Sequence, residues 1–134
     1  MAADKVEFEL VSPERLLLSA QVDMVVVPGA EGDFGVLPRH SPLISTLRPG
    51  VIRVFEGREV KQRIFVAGGF AEVTPERCTV LAEEAVPVGE IDTAKVDQQI
   101  KDLGEDMADA KTDEEKAAIA LRIKVREAMK AAAA

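Results

Sequence analysis

The period of the apolar pattern changes once along this chain, near Pro87, and that change limits the fold more than any other feature. From Val6 to about Ala85, apolar and polar residues alternate in short runs: VEFELV, QVDMVVV, GVIRVF, REVKQRIFV, GGFAEV and RCTVLA. Alternation with Val, Ile and Phe is the signature of half-buried strands. The intervening SPER, PGAEGDFG, PRHSP, RPG, EGRE and TPER each combine Gly or Pro with polar residues, so each is predicted as a turn. Many short, closely spaced strands predict an antiparallel sandwich or flattened barrel. Within GVIRVF, Ile52 and Val54 should face one way, and Val51, Arg53 and Phe55 the other.

Beyond Pro87 the spacing becomes helical. Val96, Ile100, Leu103, Met107 and Ala110 form one amphipathic seam, and Ala118, Leu121, Val125 and Ala128 are predicted to form a second. Asp92 is placed to cap the first helix, with Ile91 and Val96 as a hydrophobic staple, and Thr112 and Glu115 have capping-box spacing. The short connection predicts an antiparallel hairpin. Charge favours that pairing: residues 92–115 hold nine acids and three lysines, and 116–134 hold five bases and one acid. Opposite arms attract, although exposed pairs add little and salt weakens them. The seams are short, Gly104 interrupts the first, and alanines thin both, so the hairpin is expected to need docking to the sandwich or to a partner.

Composition removes several function classes. The chain has 134 residues and a net charge of −7, without Trp or Tyr, which argues against nucleic-acid binding. No apolar run reaches the ~20 residues of a membrane-spanning helix, so no direct membrane insertion is expected. The start, MAADKVEFELVSP, has no basic region followed by an apolar core, hence no secretory leader is read there. One cysteine, Cys78, and one histidine, His40, leave no metal set and no internal disulfide. Cys78 lies in alternating RCTVL and reads as a small strand residue.

The stretch PGAEGDFGVLPRHSPL, residues 28–43, is the most distinctive. It lacks the Gly-x4-Gly-Lys-Ser/Thr of a phosphate loop and the G-x-S-x-G of a nucleophile elbow. No catalytic residue is assigned. His40 reads either as a turn residue satisfied by local hydrogen bonds or as an interface residue on a glycine-shaped loop.

Two blocks, EGDFGVLPRHSPLISTLRPG and FVAGGFAEVTPERCTVLAEEA, closely resemble the epsilon subunit family of bacterial F-type ATP synthase, over about Phe8 to Ala85. The resemblance implies a β-sandwich of about ten strands in residues 1–88 and an α-helical hairpin in 89–134. It implies a non-catalytic central-stalk subunit, peripheral on the cytoplasmic face of the inner membrane, that helps couple proton-driven c-ring rotation to ATP synthesis. The sandwich would hold the gamma subunit through Ser12, His40 and Ser45, and meet the c ring with Glu31, Gly32 and Asp33.

In that family the hairpin also reaches the alpha/beta catalytic head in some members, and in some it binds ATP through an I/L-D-x-x-R-A motif and later arginines. Here the motif reads Ile91-Asp92-Thr93-Ala94-Lys95-Val96, with Lys and Val in place of Arg and Ala. Lysine lacks the guanidinium fork. Asp92, Lys95, Arg122 and Arg126 are therefore the candidate ATP contacts. ATP would be a weak regulatory ligand, and no cofactor is required. A nucleotide-sensing module and an unrelated β-sandwich adaptor are the alternatives to the coupling subunit.

Overall fold

The computed structural model describes residues 4–134. The first three residues, part of the stretch read for a leader, lie outside the described ones. The chain divides into two compact units, one ending at Pro87 and the other spanning Val88–Ala134.

Among the described residues the first unit contains eight strands. In chain order these are β1 (Val6–Val11), β2 (Leu16–Val22), β3 (Met24–Gly29), β4 (Gly32–Val36), β5 (Leu43–Thr46), β6 (Gly50–Glu56), β7 (Glu59–Val73) and β8 (Arg77–Pro87). Hydrogen bonding links β2-β1-β8-β7-β6-β3-β4, and β5 also pairs with β7. Every pairing is antiparallel except β1 with β8, which run parallel.

Two long strands turn this sheet into two layers. The first part of β7, Glu59–Val66, pairs with β6, whereas its last part, Phe70–Val73, pairs with β5 along the same edge. β8 follows the same division, with Arg77–Leu81 also lying beside β1. One layer is thus β4-β3-β6-β7-β8 and the other β5-β7-β8-β1-β2, with β7 and β8 belonging to both. Counting each of them once gives eight strands. This is fewer than the ten that the resemblance implies.

The bend falls at Gly68 and Gly69, which have φ of 73° and 96°. A Cβ on Gly69 would stand 1.8 Å from the Leu81 carbonyl oxygen, so both conformation and space require glycine there. The inner faces of the layers meet in a single cluster. Phe8, Leu10, Val25, Val27, Ile52, Val54, Val66, Val73, Cys78 and Val80 are all essentially buried in it. Ile52 and Val54 point into this core while Val51, Arg53 and Phe55 face outward, as the alternation requires.

Three strands escaped the sequence reading. QVDMVVV is two strands, because Asp23 is a corner: its carboxylate accepts a hydrogen bond from the Gly57 backbone N–H at 2.6 Å and pairs with Lys5 at 2.7 Å. PGAEGDFG is mostly strand, with only Ala30 and Glu31 forming the turn between β3 and β4. LIST, rich in Ser and Thr, is a four-residue edge strand.

In the second unit, α1 (Thr93–Asp109) and α2 (Asp113–Ala133) run antiparallel, since Lys130 near the end of α2 pairs with Asp97 near the start of α1 at 2.7 Å. Asp92 caps α1 by accepting from the Lys95 N–H, and Thr112 caps α2 by accepting from the Glu115 N–H. Glu115 reaches back to the Lys111 N–H, one residue before the usual capping-box position. The first seam is as expected: Val96 is buried and Ile100, Leu103 and Met107 are half-buried. The second holds only in its later half. Val125 and Ala128 are half-buried as expected, but Leu121 is 62% exposed and Ala118 is also exposed, whereas Ile119, Ile123 and Met129 turn inward. Apolar residues surround α2, so periodicity alone allows several stripes, and the one with larger side chains wins because it buries more area.

Gly69→Ala should destabilise the protein by about 2–3 kcal/mol, because a positive-φ site and a backbone clash coincide. A Tm unchanged within a degree would refute the account of the bend. Asp23 supplies a second check. Its pKa is held below the ordinary aspartate value, first by the hydrogen bond from Lys5 and then by that from Gly57. With the folded value depressed, its contribution is present above the unfolded pKa and fades as pH falls through the folded one. Asp23→Asn should therefore cost stability at neutral pH and flatten the loss of stability below about pH 4, followed by urea unfolding across that range.

Candidate functional site

The outer face of the β5-β7-β8-β1-β2 layer carries a row of side chains that the core does not absorb. Direct cross-strand partners line up as Thr46, Phe70, Leu81, Val11 and Leu16. Phe70 and Leu81 are each 39% exposed and Leu16 is 54% exposed. Neighbouring strands lie about 4.8 Å apart, so the row crosses roughly 19 Å of surface. Farther along the same strands the face turns polar, and Arg77 bridges Glu7 at 3.3 Å and Glu9 at 3.4 Å. An apolar row with a charged flank is the makeup of a docking surface.

Ser12 sits at the end of this row. It closes the Ser12–Arg15 turn, its N–H donating to the Arg15 carbonyl at 2.9 Å, and it lines a shallow groove of about 280 Å³ with Phe70 and Leu81. Ser45 is on β5, but its partner is the buried Ala71, so it faces away from the row, and Ile44 and Thr46 take the outer side. Ile44 is 69% exposed. His40 is in the β4–β5 loop, and its Nδ1–H donates to the Ser41 carbonyl at 2.6 Å. That is the local satisfaction expected of a turn histidine. Leu37 and Leu43, both exposed, flank this segment. The structure therefore brings Ser12 to the row, while His40 and Ser45 belong to the neighbouring edge.

A second feature is the Ala30–Glu31 turn. Gly32 follows it with φ 138° and nothing within 4 Å of its missing Cβ, so backbone conformation rather than space selects glycine. Asp33 is not a free acid. Arg48 pairs with one carboxylate oxygen, and Arg53 stands 3.8 Å from the other. Glu31 is exposed and has no ion-pair partner among the described residues.

The candidate nucleotide contacts do not converge. Asp92 is committed to the α1 cap. Arg122 lines a groove of about 410 Å³ with Asp106, Asp109 and Glu115, whose acids disfavour a polyphosphate. Given the Lys130–Asp97 register, Arg122 lies roughly 15 Å along the helix axis from Lys95. Arg126 reaches the Met129 sulfur at 3.7 Å. Among the described residues no cluster of His, Cys, Asp and Glu could hold a metal ion.

Comparison with known proteins places these features. Residues 5–88 match the family model for the beta-sandwich domain of the ATP synthase Delta/Epsilon chain, and residues 92–133 match that for the C-terminal domain of the ATP synthase epsilon chain. This protein belongs to the ATP synthase epsilon chain family. The ATP synthase epsilon chain of Paramagnetospirillum magneticum is 56% identical over 98% of this chain and 99% of that protein. That of Rhodospirillum centenum is 59% identical over 90% and 86%. The fold resembles a chain in a Euglena gracilis mitochondrial ATP synthase structure (OSCP/F1/c-ring), with a TM-score of 0.81 and 23% identity over 96% of this chain and 81% of that one. It also resembles one in a Tetrahymena thermophila mitochondrial ATP synthase central stalk/c-ring structure, with a TM-score of 0.70 and 19% identity over 97% of each. The family and the order of sandwich then helices, expected from the two sequence blocks, are borne out. The protein is thus related over both of its units to the epsilon chain of ATP synthases. No helix among the described residues is long and apolar enough to cross a membrane.

Sequence reasoning missed Phe70, Leu81, Val11 and Leu16 as a unit. The signal was there, since GGFAEV and RCTVLA place apolar residues on both faces of their strands. Cys78 belongs to the core, where burial raises its thiol pKa to about 12. It should resist iodoacetamide at pH 8 in the native protein and react fully in urea. Fast native labelling, read by mass, would contradict that burial.

Proposed function

We propose that this protein acts as a rigid coupling body between a rotating c ring and the catalytic head, with the apolar row as its seat on the gamma subunit and the Ala30–Glu31 turn against the ring. Rotation then passes through packed β structure rather than through any reacting group. The observation that carries this reading is the Thr46–Phe70–Leu81–Val11–Leu16 row, exposed on a layer whose other face is the buried core. A stiff backing keeps such a surface from yielding under load, because closely packed interiors transmit strain. Ser12 at the row's end and His40 at the adjacent edge would complete the gamma-facing rim, to which Ser45 would contribute through its edge-strand backbone, since its side chain turns away. Steered contact with the ring falls to acids on the turn, which set register more than affinity. The subunit would sit peripherally at the cytoplasmic face of a bacterial inner membrane.

For the hairpin, contact with the alpha/beta head is the reading its mixed charge supports, with an acidic first arm and a basic second one. A role for ATP there has weaker support, given the separation of Lys95 from Arg122.

Phe70→Glu tests the gamma-binding surface. The residue is partly exposed, so the Tm of the full-length protein should change little. Loss of a central aromatic anchor should cost about 2 kcal/mol or more of association, roughly thirtyfold in affinity. Recovery of the variant with the gamma subunit and catalytic head from detergent-solubilised membranes should fall accordingly. Full recovery would remove this face from the interface.

A further inference from the structure

The turn between β3 and β4 is fastened to the segment between β5 and β6 by a set of contacts converging on Arg48. Its backbone N–H donates to the Pro28 carbonyl at 3.0 Å, and its Nη1 donates to the Gly29 carbonyl at 2.7 Å. Its Nη2 donates to the Asp33 carboxylate, whose other oxygen faces Arg53. Beside it, the Ala30 N–H donates to the Thr46 carbonyl at 2.9 Å, and Gly29 bridges Leu47. Arg48 therefore holds both ends of the turn: the carbonyl that enters it and the carboxylate that leaves it. Thr46, two residues away, is the β5 end of the apolar row.

A guanidinium suits this task because its planar fork can donate to a carbonyl and a carboxylate at once, with little conformational freedom left. An aspartate facing two arginines has its charge locally neutralised. It is a poor choice for attracting a cation on another molecule, since the approaching charge must compete with both. Glu31, at the tip of the same turn, faces no such competition.

Resting on the reading that this turn meets the ring, we propose that Arg48 is a positioning residue and Asp33 its counter-ion, and that Glu31 is the carboxylate that meets a cationic side chain of the ring. Arg48 acts through the turn and touches no partner itself. Two carboxylates two residues apart thus have separate tasks, one spent on shape and one presented outward.

The experiment is a double-mutant cycle in the assembled, membrane-bound enzyme, reading ATP-driven proton pumping per ATP hydrolysed, with the Tm of the full-length protein measured in parallel. Asp33→Ala, Arg48→Ala and the double variant should lower Tm by similar amounts and lower the pumping ratio to a similar extent, because each opens the same clamp. Arg48→Lys, which keeps charge but loses the fork, should recover only part of the ratio. Glu31→Lys should leave Tm unchanged and lower the ratio several-fold, and that loss should depend on ionic strength as an exposed charge contact does. A normal ratio in Glu31→Lys, or loss in Asp33→Ala with none in Arg48→Ala, overturns the division of roles. If fully assembled enzyme pumps normally in all of these variants, the turn does not face the ring, and the underlying reading fails along with it.

Discussion

Everything in the sandwich depends on two strands being shared between its layers. β8 pairs along nearly its whole length with the Ile64–Val73 part of β7, yet the two ends of each strand have different neighbours. A sheet that bends in this way must break its ladder somewhere, and the break falls between the Ala67–Glu84 and Gly69–Ala82 pairs. Gly68 and Gly69 supply the conformations needed there at no steric cost. Because both layers grow from one strand pair, their inner faces are not independent sheets brought together. They are one continuous ladder closed over its own apolar face. Shear between the layers would have to stretch backbone hydrogen bonds rather than merely slide side chains.

That continuity explains how two distant-looking surface features become one mechanical unit. The apolar row ends at Thr46, whose carbonyl accepts from Ala30 in the β3–β4 turn. The next residue, Leu47, donates its N–H to the Gly69 carbonyl at 3.1 Å, at the bend itself. Arg48 then clamps the turn. Three consecutive residues thus connect the row, the bend and the turn. A force applied at the turn reaches the row through backbone hydrogen bonds and one guanidinium, without crossing a loop free to flex. If the row and the turn are the two places at which the protein is held, as proposed, this short path matters more than the affinity of either grip.

The fold class was legible because its causes are local. Alternation marks strands, helical spacing marks helices, and Asp92 and Thr112 cap the helices they precede. What stayed hidden depends on distant partners. Asp23 ends a strand only because Lys5 and Gly57 meet it there. REVKQRIFV and GGFAEV look like two strands, but tertiary pairing joins them into one of 15 residues. The first half of the α2 seam, Ala118 and Leu121, failed for a different reason: alanines on every side leave the stripe undetermined until a neighbouring helix selects Ile119, Ile123 and Met129 beside Val125 and Ala128. The candidate site was legible in part. Glycine spacing pointed to the turn, but Asp33 and Arg48 are fifteen residues apart in sequence, and no period shows that they pair.

The two units are built to different tolerances, and the contrast follows from their side chains. Inside the sandwich, Phe, Leu, Ile and Val from both layers share one core with no exposed member. Among the described residues of the hairpin, helices of 17 and 21 residues bury only Val96 and Met129. Burying one aliphatic residue contributes about 1.5–3 kcal/mol relative to exposure, so the hairpin has few such contributions to set against the entropy of ordering it. Its caps fix where each helix begins without fixing how tightly the helices associate. The Lys130–Asp97 pair is half exposed on both sides, which leaves it open to screening by salt. Opening therefore costs little in the second unit and much in the first. The distribution of large against small apolar residues along the sequence produces that inequality.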